Sequence, residues 1–231
     1  LQFSETALRV YGHPDLLRVA EAVNGEDFAP FNEVLFIKDP GVGAAISWHQ
    51  DGDTHWDNPE FDEDIHGFNF MAQVYGSTAV NGVWVKPGSH KEGRIDIKAL
   101  VDSAGSERLE GLVPLLCNPG DVIICNRQLL HGSFPNSGFE PRLTINFGFH
   151  RRASVLNVQG AGVHSEAKVY DEAIIEHRAR AIAYAINARK QRFPDEDSYI
   201  YQPLANNGKE YLWSENVMAD LKDYNLDDIS I

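Results

Sequence analysis

His49 and Asp51 stand two residues apart in Ser47-Trp48-His49-Gln50-Asp51. On an extended strand, residues i and i+2 project from one face, so this imidazole and carboxylate can converge on one divalent ion. By itself His-x-Asp arises often by chance, and a hydrogen-bonded surface pair is its commoner cause. A second imidazole, His131, follows the apolar run Val122–Cys125 in Gln128-Leu129-Leu130-His131-Gly132-Ser133. Two His and one carboxylate leave positions of an octahedral metal open to small ligands, the donor set of non-haem iron(II) oxygen chemistry. A structural zinc would be closed by four ligands, usually with Cys among them. Arg142 comes next. Its guanidinium is always charged and matches a carboxylate as a two-pronged fork. Buried behind a metal it would need an anion, and an anionic ligand is the natural one. A salt bridge to Glu140 is the ordinary alternative and, for Arg142 taken alone, the favoured one.

These side chains need short strands to hold them. Glu33–Ile37, Ala45–Asp51, His66–Tyr75, Val83–Val85, Leu112–Cys117, Val122–Asn126 and Arg142–Arg151 read as strands. Phe68, Phe70, Ala72 and Val74 alternate along the third. Turns lie at Asp39-Pro40-Gly41, Asn81-Gly82, Lys86-Pro87-Gly88-Ser89-His90, Asn118-Pro119-Gly120-Asp121 and Pro135-Asn136-Ser137-Gly138. Many short strands joined by such turns indicate an all-β barrel or jelly roll. Helix and loop are expected over 1–30, one helical turn near Ile97–Ser103, and a helix over Glu166–Arg192 stopped by Pro194 and packed outside the barrel. A short amphipathic piece falls around Trp213–Leu221. One domain over 1–231 is expected, with its jelly-roll core at about 33–155.

Composition narrows the function classes. At 231 residues and 43% hydrophobic content, the chain can bury a core, and no apolar stretch reaches the length of a membrane span. Its net charge of −14 repels nucleic acid backbones and anionic lipid heads. Much of the acid sits in Asp53–Asp64 and Asp220–Asp228, read as solvated surface. Cys117 and Cys125, flanking a Pro-Gly turn, could face each other across a hairpin, but two buried free thiols in a reducing cytoplasm are expected. The start at Leu1-Gln2-Phe3-Ser4 has neither signal-peptide pattern nor Met, so the chain reads as a fragment or trimmed form.

Taken in order, His49-x-Asp51, Asn81-Gly82, Pro87-Gly88-Ser89-His90, Pro119-Gly120-Asp121, His131-Gly132-Ser133, Asn136 and Arg142 resemble the phytanoyl-CoA dioxygenase family of Fe(II)/2-oxoglutarate oxygenases. The likeness covers roughly residues 33–150. It implies a mainly β double-stranded β-helix, or jelly roll, with flanking α-helices. It implies Fe(II) held by His49, Asp51 and His131, and the far carboxylate of 2-oxoglutarate held by Arg142 and Ser133. O2 is the oxidant implied, with ascorbate an optional addition. The reaction implied is hydroxylation of a small organic molecule with release of succinate and CO2. Related halogenases carry Gly or Ala in the place of Asp51, so hydroxylation is favoured over halogenation.

This sequence departs from the family in a shorter stretch between Asn81-Gly82 and Pro87, a short N-terminal part, and the acidic, aromatic segment after Asp51. These departures bear on the substrate. Gln73 is a candidate to face the cosubstrate from its strand. His90 either approaches the cosubstrate or stabilises its turn. His55 and Trp56 either line a substrate entrance or belong to a solvated loop. Trp48 and Trp84 read as core. Two competing readings are a cupin-type metal enzyme that does not use 2-oxoglutarate, and a jelly-roll binding module without catalysis. Neither nucleic acid nor membrane is an expected partner. Oligomeric state is not legible, although the C-terminal helix offers an interface.

Overall fold

The computed structural model describes residues 4–52, 67–160 and 166–221. The expectations for His55, Trp56, His66 and most of the two acidic runs therefore lie outside the described residues. Two four-stranded antiparallel sheets form the body. The main sheet runs β1 (Ala29–Lys38), β8 (Arg142–His150), β3 (Gly67–Gln73), β6 (Val122–Asn126). The minor sheet runs β2 (Ile46–His49), β7 (His131–Ser133), β4 (Trp84–Val85), β5 (Val113–Pro114). A small pair, β9 (Gln159–Gly160) with β10 (Lys168–Val169), lies beyond β8. The fold is a double-stranded β-helix, as its succession of short turn-punctuated strands implies.

Period-two alternation sorts the side chains of the main sheet. On β8, Arg142, Thr144 and Asn146 point between the sheets, while Phe147 and Phe149 enter an outer core. On β3, Asn69 and Met71 point inward and Phe70 outward. The outer core is closed by helices. α1 (Glu5–Tyr11) is capped by Ser4, and α2 (Pro14–Asn24) starts on Pro14 after His13. α5 (Glu172–Arg192) lays Ala181, Ile182, Ala185 and Ala188 against Leu8, Tyr11 and the sheet. Small residues bring the helices close: a Cβ on Gly12 would lie 2.3 Å from the Ala185 carbonyl oxygen. The C-terminal segment adds Tyr199, Tyr201, Leu204 and Trp213 to the same core. The minor sheet has its own cluster of Trp48, Leu109 and Leu130, with Trp84 and Phe134 packed on it. Both tryptophans thus serve packing, as expected.

Two sequence expectations are corrected. The helix expected from Glu166 begins at Glu172, because Lys168–Val169 pairs as β10 and the Asp171 side chain accepts from Ile174 N–H as the helix cap. The segment 112–117 does not form a hairpin with Val122–Asn126. Val113–Pro114 pairs with β4 in the minor sheet and β6 with β3 in the main sheet, so the intervening turn passes between sheets. Cys117 and Cys125 are free and only partly buried.

Candidate metal centre

Strand register creates the site. β2 and β7 pair with His49 directly opposite His131 and Ile46 opposite Ser133. Their imidazole centroids are 4.1 Å apart. Asp51 lies just past β2, and the alternation of that strand continues through it. Between the two candidate ligands, Gln50 turns the other way. Its Nε2 donates to the carbonyls of Gln128 and Gly93, and its Oε1 accepts from Ile95 N–H. Gln50 thereby pins the backbone that presents His49 and Asp51. The metal-facing atoms of His49, Asp51 and His131 lie within 4.8 Å of one another. Asp51 Oδ1 is 3.6 Å from His49 Nε2, and Asp51 Oδ2 is 3.9 Å from His131 Nε2.

The ring orientation suits a metal. His49 Nδ1 lies 2.7 Å from the Ser47 carbonyl, and His131 Nδ1 lies 2.8 Å from the Leu129 carbonyl. A carbonyl only accepts, so each Nδ1 carries a proton and each ring turns its Nε2 toward Asp51. Burial works to raise the Asp51 carboxyl, but Arg127, His131, His49 and the hydrogen bond from Asn69 outweigh it and hold it at about 2. Burial pushes His131 below its usual range, with Asp51 pulling the other way. At neutral pH the set is therefore one carboxylate and a neutral His131, the charge states a divalent metal requires.

Behind this triad lies a pocket of ≈110 Å³ between the sheets. Val34, Phe36, Ile46, Met71 and Val83 supply apolar walls, and Ser133, Arg142 and Thr144 supply polar groups. Arg142 is 2% exposed, and its Nε and Nη1 have no hydrogen-bond partner among the described residues. Among the described residues it makes no ion pair with Glu140. Burial draws Arg142 down to about 10, which leaves it charged at neutral pH. Lys38, opposite Arg142 in the β1–β8 register and 3% exposed, donates to Ser133 Oγ at 2.9 Å and to the Phe134 carbonyl at 2.5 Å. Burial, and then the Arg142 charge, lower Lys38 to about 8. Two buried cations paired across the β1–β8 register, Lys38 bonded to the Ser133 hydroxyl and Arg142 with no carboxylate partner among the described residues, fit an incoming carboxylate.

The remaining motif residues mostly hold the loops. Ser89 Oγ accepts from Leu130 N–H and donates to the Lys86 carbonyl, which ties the Pro-Gly-Ser-His turn to the residue before His131. His90 is not among the residues lining the pocket. Asn136 donates to the carbonyls of Lys38 and Glu140, and Asn81 donates to the Glu140 carbonyl as well, which fixes the approach to Arg142. Gln73 is buried, and its Oε1 accepts from the hydroxyl of Thr144, a pocket residue. Gln73 itself borders a larger apolar cavity of ≈460 Å³ under α2, on the other face of the main sheet. Sequence reasoning missed Lys38, Asn69, Arg127 and Asn146. Lys38 was detectable as a cation two residues beyond Phe36 on a strand whose alternate residues face inward.

The sequence pattern of the phytanoyl-CoA dioxygenase (PhyH) family matches residues 2–144. The chain belongs to this family. Among curated relatives of this PhyH chain, the dioxygenase lolE1 of Epichloe uncinata is 29% identical over 137 residues, 58% of this chain and 50% of that protein. Phytanoyl-CoA dioxygenase 1 of Oryza sativa subsp. japonica is 28% identical over 116 residues, 47% of this chain and 40% of that protein. The chain thus spans about half the length of the curated relatives it matches. The solved structure of EctD from S. alaskensis with 2-oxoglutarate and 5-hydroxyectoine superposes with a TM-score of 0.52 at 25% identity, over 64% of this chain and 53% of that one. Among the described residues no helix is long and apolar enough to cross a membrane.

Proposed function

We propose that this PhyH chain is an Fe(II)- and 2-oxoglutarate-dependent dioxygenase that hydroxylates a small organic molecule, with O2 consumed and succinate and CO2 released. The observation that carries this reading is one pocket lined both by the candidate ligands His49, Asp51 and His131 and by buried Arg142 and Ser133, with Lys38 bonded to Ser133 behind its wall. A cupin-type enzyme without 2-oxoglutarate would have no use for buried, unpaired Arg142. Iron, once bound, would supply O2 activation coupled to oxidative decarboxylation of 2-oxoglutarate.

The chain's own residues do the rest. His49 and His131 present Nε2, and Asp51 presents one carboxylate oxygen. Arg142 grips the far carboxylate of 2-oxoglutarate as a fork, with Ser133 and Lys38 beside it. Gln73 acts through Thr144, fixing that side chain at the pocket wall by accepting a hydrogen bond from its hydroxyl. Val34, Phe36, Met71 and Val83 keep water from the cosubstrate chain. His49 is the more exposed imidazole, and the substrate approaches from its side. The free thiols Cys117 and Cys125 favour a reducing, cytoplasmic compartment, and the helices and tail packed on the main sheet make one oxygenase domain.

The test is anaerobic loading with Fe(II) and 2-oxoglutarate, reading the weak visible metal-to-ligand charge-transfer band. The wild type should develop the band. Arg142→Ala should weaken 2-oxoglutarate on the order of 10- to 100-fold, as expected for losing a charged hydrogen-bonding partner. A wild type that binds iron but shows no band sinks the 2-oxoglutarate reading.

A further inference from the structure

Asp51 is held by more than its place after β2. Asn69 Nδ2 donates to Asp51 Oδ2 at 2.6 Å. Asn69 Oδ1 in turn accepts from Arg127 Nη1 at 2.8 Å and, more loosely, from Asn146 Nδ2 at 3.5 Å. Arginine has only donors, so the oxygen of the Asn69 amide must face it, and the NH2 is then forced toward Asp51. Arg127 Nη2 also lies 4.0 Å from Asp51 Oδ2. The backbone repeats the connection, because Asp51 N–H donates to the Arg127 carbonyl and Arg127 N–H to the Gly67 carbonyl, each at 3.0 Å. Asn69 sits mid-strand in β3, opposite Cys125 of β6, so the main sheet carries this network rigidly. Arg127 and Asn69 are both at most 5% exposed.

We propose that Asn69 and Arg127 form a positioning clamp that engages Asp51 Oδ2, the oxygen nearer His131, and so favours single-oxygen metal binding through Oδ1, the oxygen nearer His49. The proposal deepens the metal-centre reading above and depends on it. Its consequence is a count. A carboxylate free to turn can bind a metal through both oxygens and fill a position that cosubstrate or O2 needs, whereas a clamped one does so only by weakening its hydrogen bond to Asn69. Asn69 and Arg127 act through Asp51 and are positioning residues.

The test uses Co(II) as the probe, titrated into the metal-free protein, with the intensity of its visible d–d band at saturation reporting coordination number. The wild type should bind one Co(II), and His131→Ala should lose it. Asn69→Leu and Asn69→Ser should each raise the dissociation constant roughly 10- to 100-fold, the usual range for groups that orient a metal ligand. Their saturated band should also weaken as Asp51 takes the metal with both oxygens. Leu keeps the volume and Ser leaves space, so the pair covers a failure of either to fold, and melting of the metal-free proteins shows which have folded. Folded Asn69 variants that bind within about twofold of wild type, with an unchanged band, overturn the clamp. A wild type that takes up no Co(II) overturns the metal centre itself, and the clamp with it.

Discussion

In the proposed function, Lys38 serves a ligand at the expense of the ligand-free protein. Its ammonium is buried beside Arg142 and sits at about 8, below the ordinary lysine value of 10.5. Below about pH 8, folded and unfolded chains both carry the charge, and the cost of burying it is fully present. As pH rises from about 8 to about 10.5, the folded chain sheds its proton first and that cost is relieved, so Lys38 destabilises the ligand-free protein less at high pH. An incoming carboxylate needs the protonated form, so 2-oxoglutarate affinity should fall over the same window. Calorimetric titration between about pH 7 and about pH 9 should show weakening in the wild type and a flatter profile in Lys38→Met. A wild-type affinity that strengthens with pH would refute Lys38 as a carboxylate partner.

At the scale of elements, strand pairing aligns the imidazoles, and glycine permits the pairing. A Cβ on Gly132 would lie 2.9 Å from the Ile46 carbonyl oxygen and 3.0 Å from the Trp48 ring. Gly132→Ala should therefore push β7 off β2 and separate His131 from His49. Stability should fall by about 1–3 kcal/mol, with Co(II) affinity falling as well. Gly12→Ala offers a contrast. Its Cβ would strike the α5 backbone at Ala185, in the outer core and not among the residues that line the pocket of the candidate metal ligands. It should lower the melting temperature through a similar loss of about 1–3 kcal/mol while leaving metal affinity intact. Equal metal loss in the two variants would show that strand register is not what aligns the imidazoles.

Across the whole molecule, charge opposes the pocket. The chain carries −14 overall, yet the far end of the site is cationic. A dianion approaching through water feels the surface field first, and salt screens that field strongly while screening buried Lys38 and Arg142 far less. Raising salt from about 10 mM to about 150 mM shortens the screening length from roughly 30 Å to roughly 8 Å and should speed 2-oxoglutarate association a few-fold. Stopped-flow binding would check the direction; slower association with salt would mean that the cationic pocket, not the acidic surface, governs approach.

The sequence by itself determined the chemistry on offer and much of the scaffold. His49, Asp51, His131 and Arg142 stood out as candidates because metal and carboxylate recognition demand particular residue types. Period-two alternation placed β3, and Pro194 marked where α5 stops, but its Asp171 cap went unread and its start fell six residues early. Pairing was not legible. Whether 112–117 joins β6 or β4 depends on hydrogen bonds between distant segments, which leave no local mark. The same holds for the site's supports. Asn69 is an ordinary polar residue in an apolar strand until β3, β6 and the end of β2 meet, and its amide has a direction only because Arg127 can donate and never accept. Gln73 read as a cosubstrate contact from alternation alone, and in the fold it reaches the pocket through the Thr144 hydroxyl. Residue type and local periodicity are properties of the chain; register, and the partner each buried polar atom finds, come into being only when strands remote in sequence lie side by side.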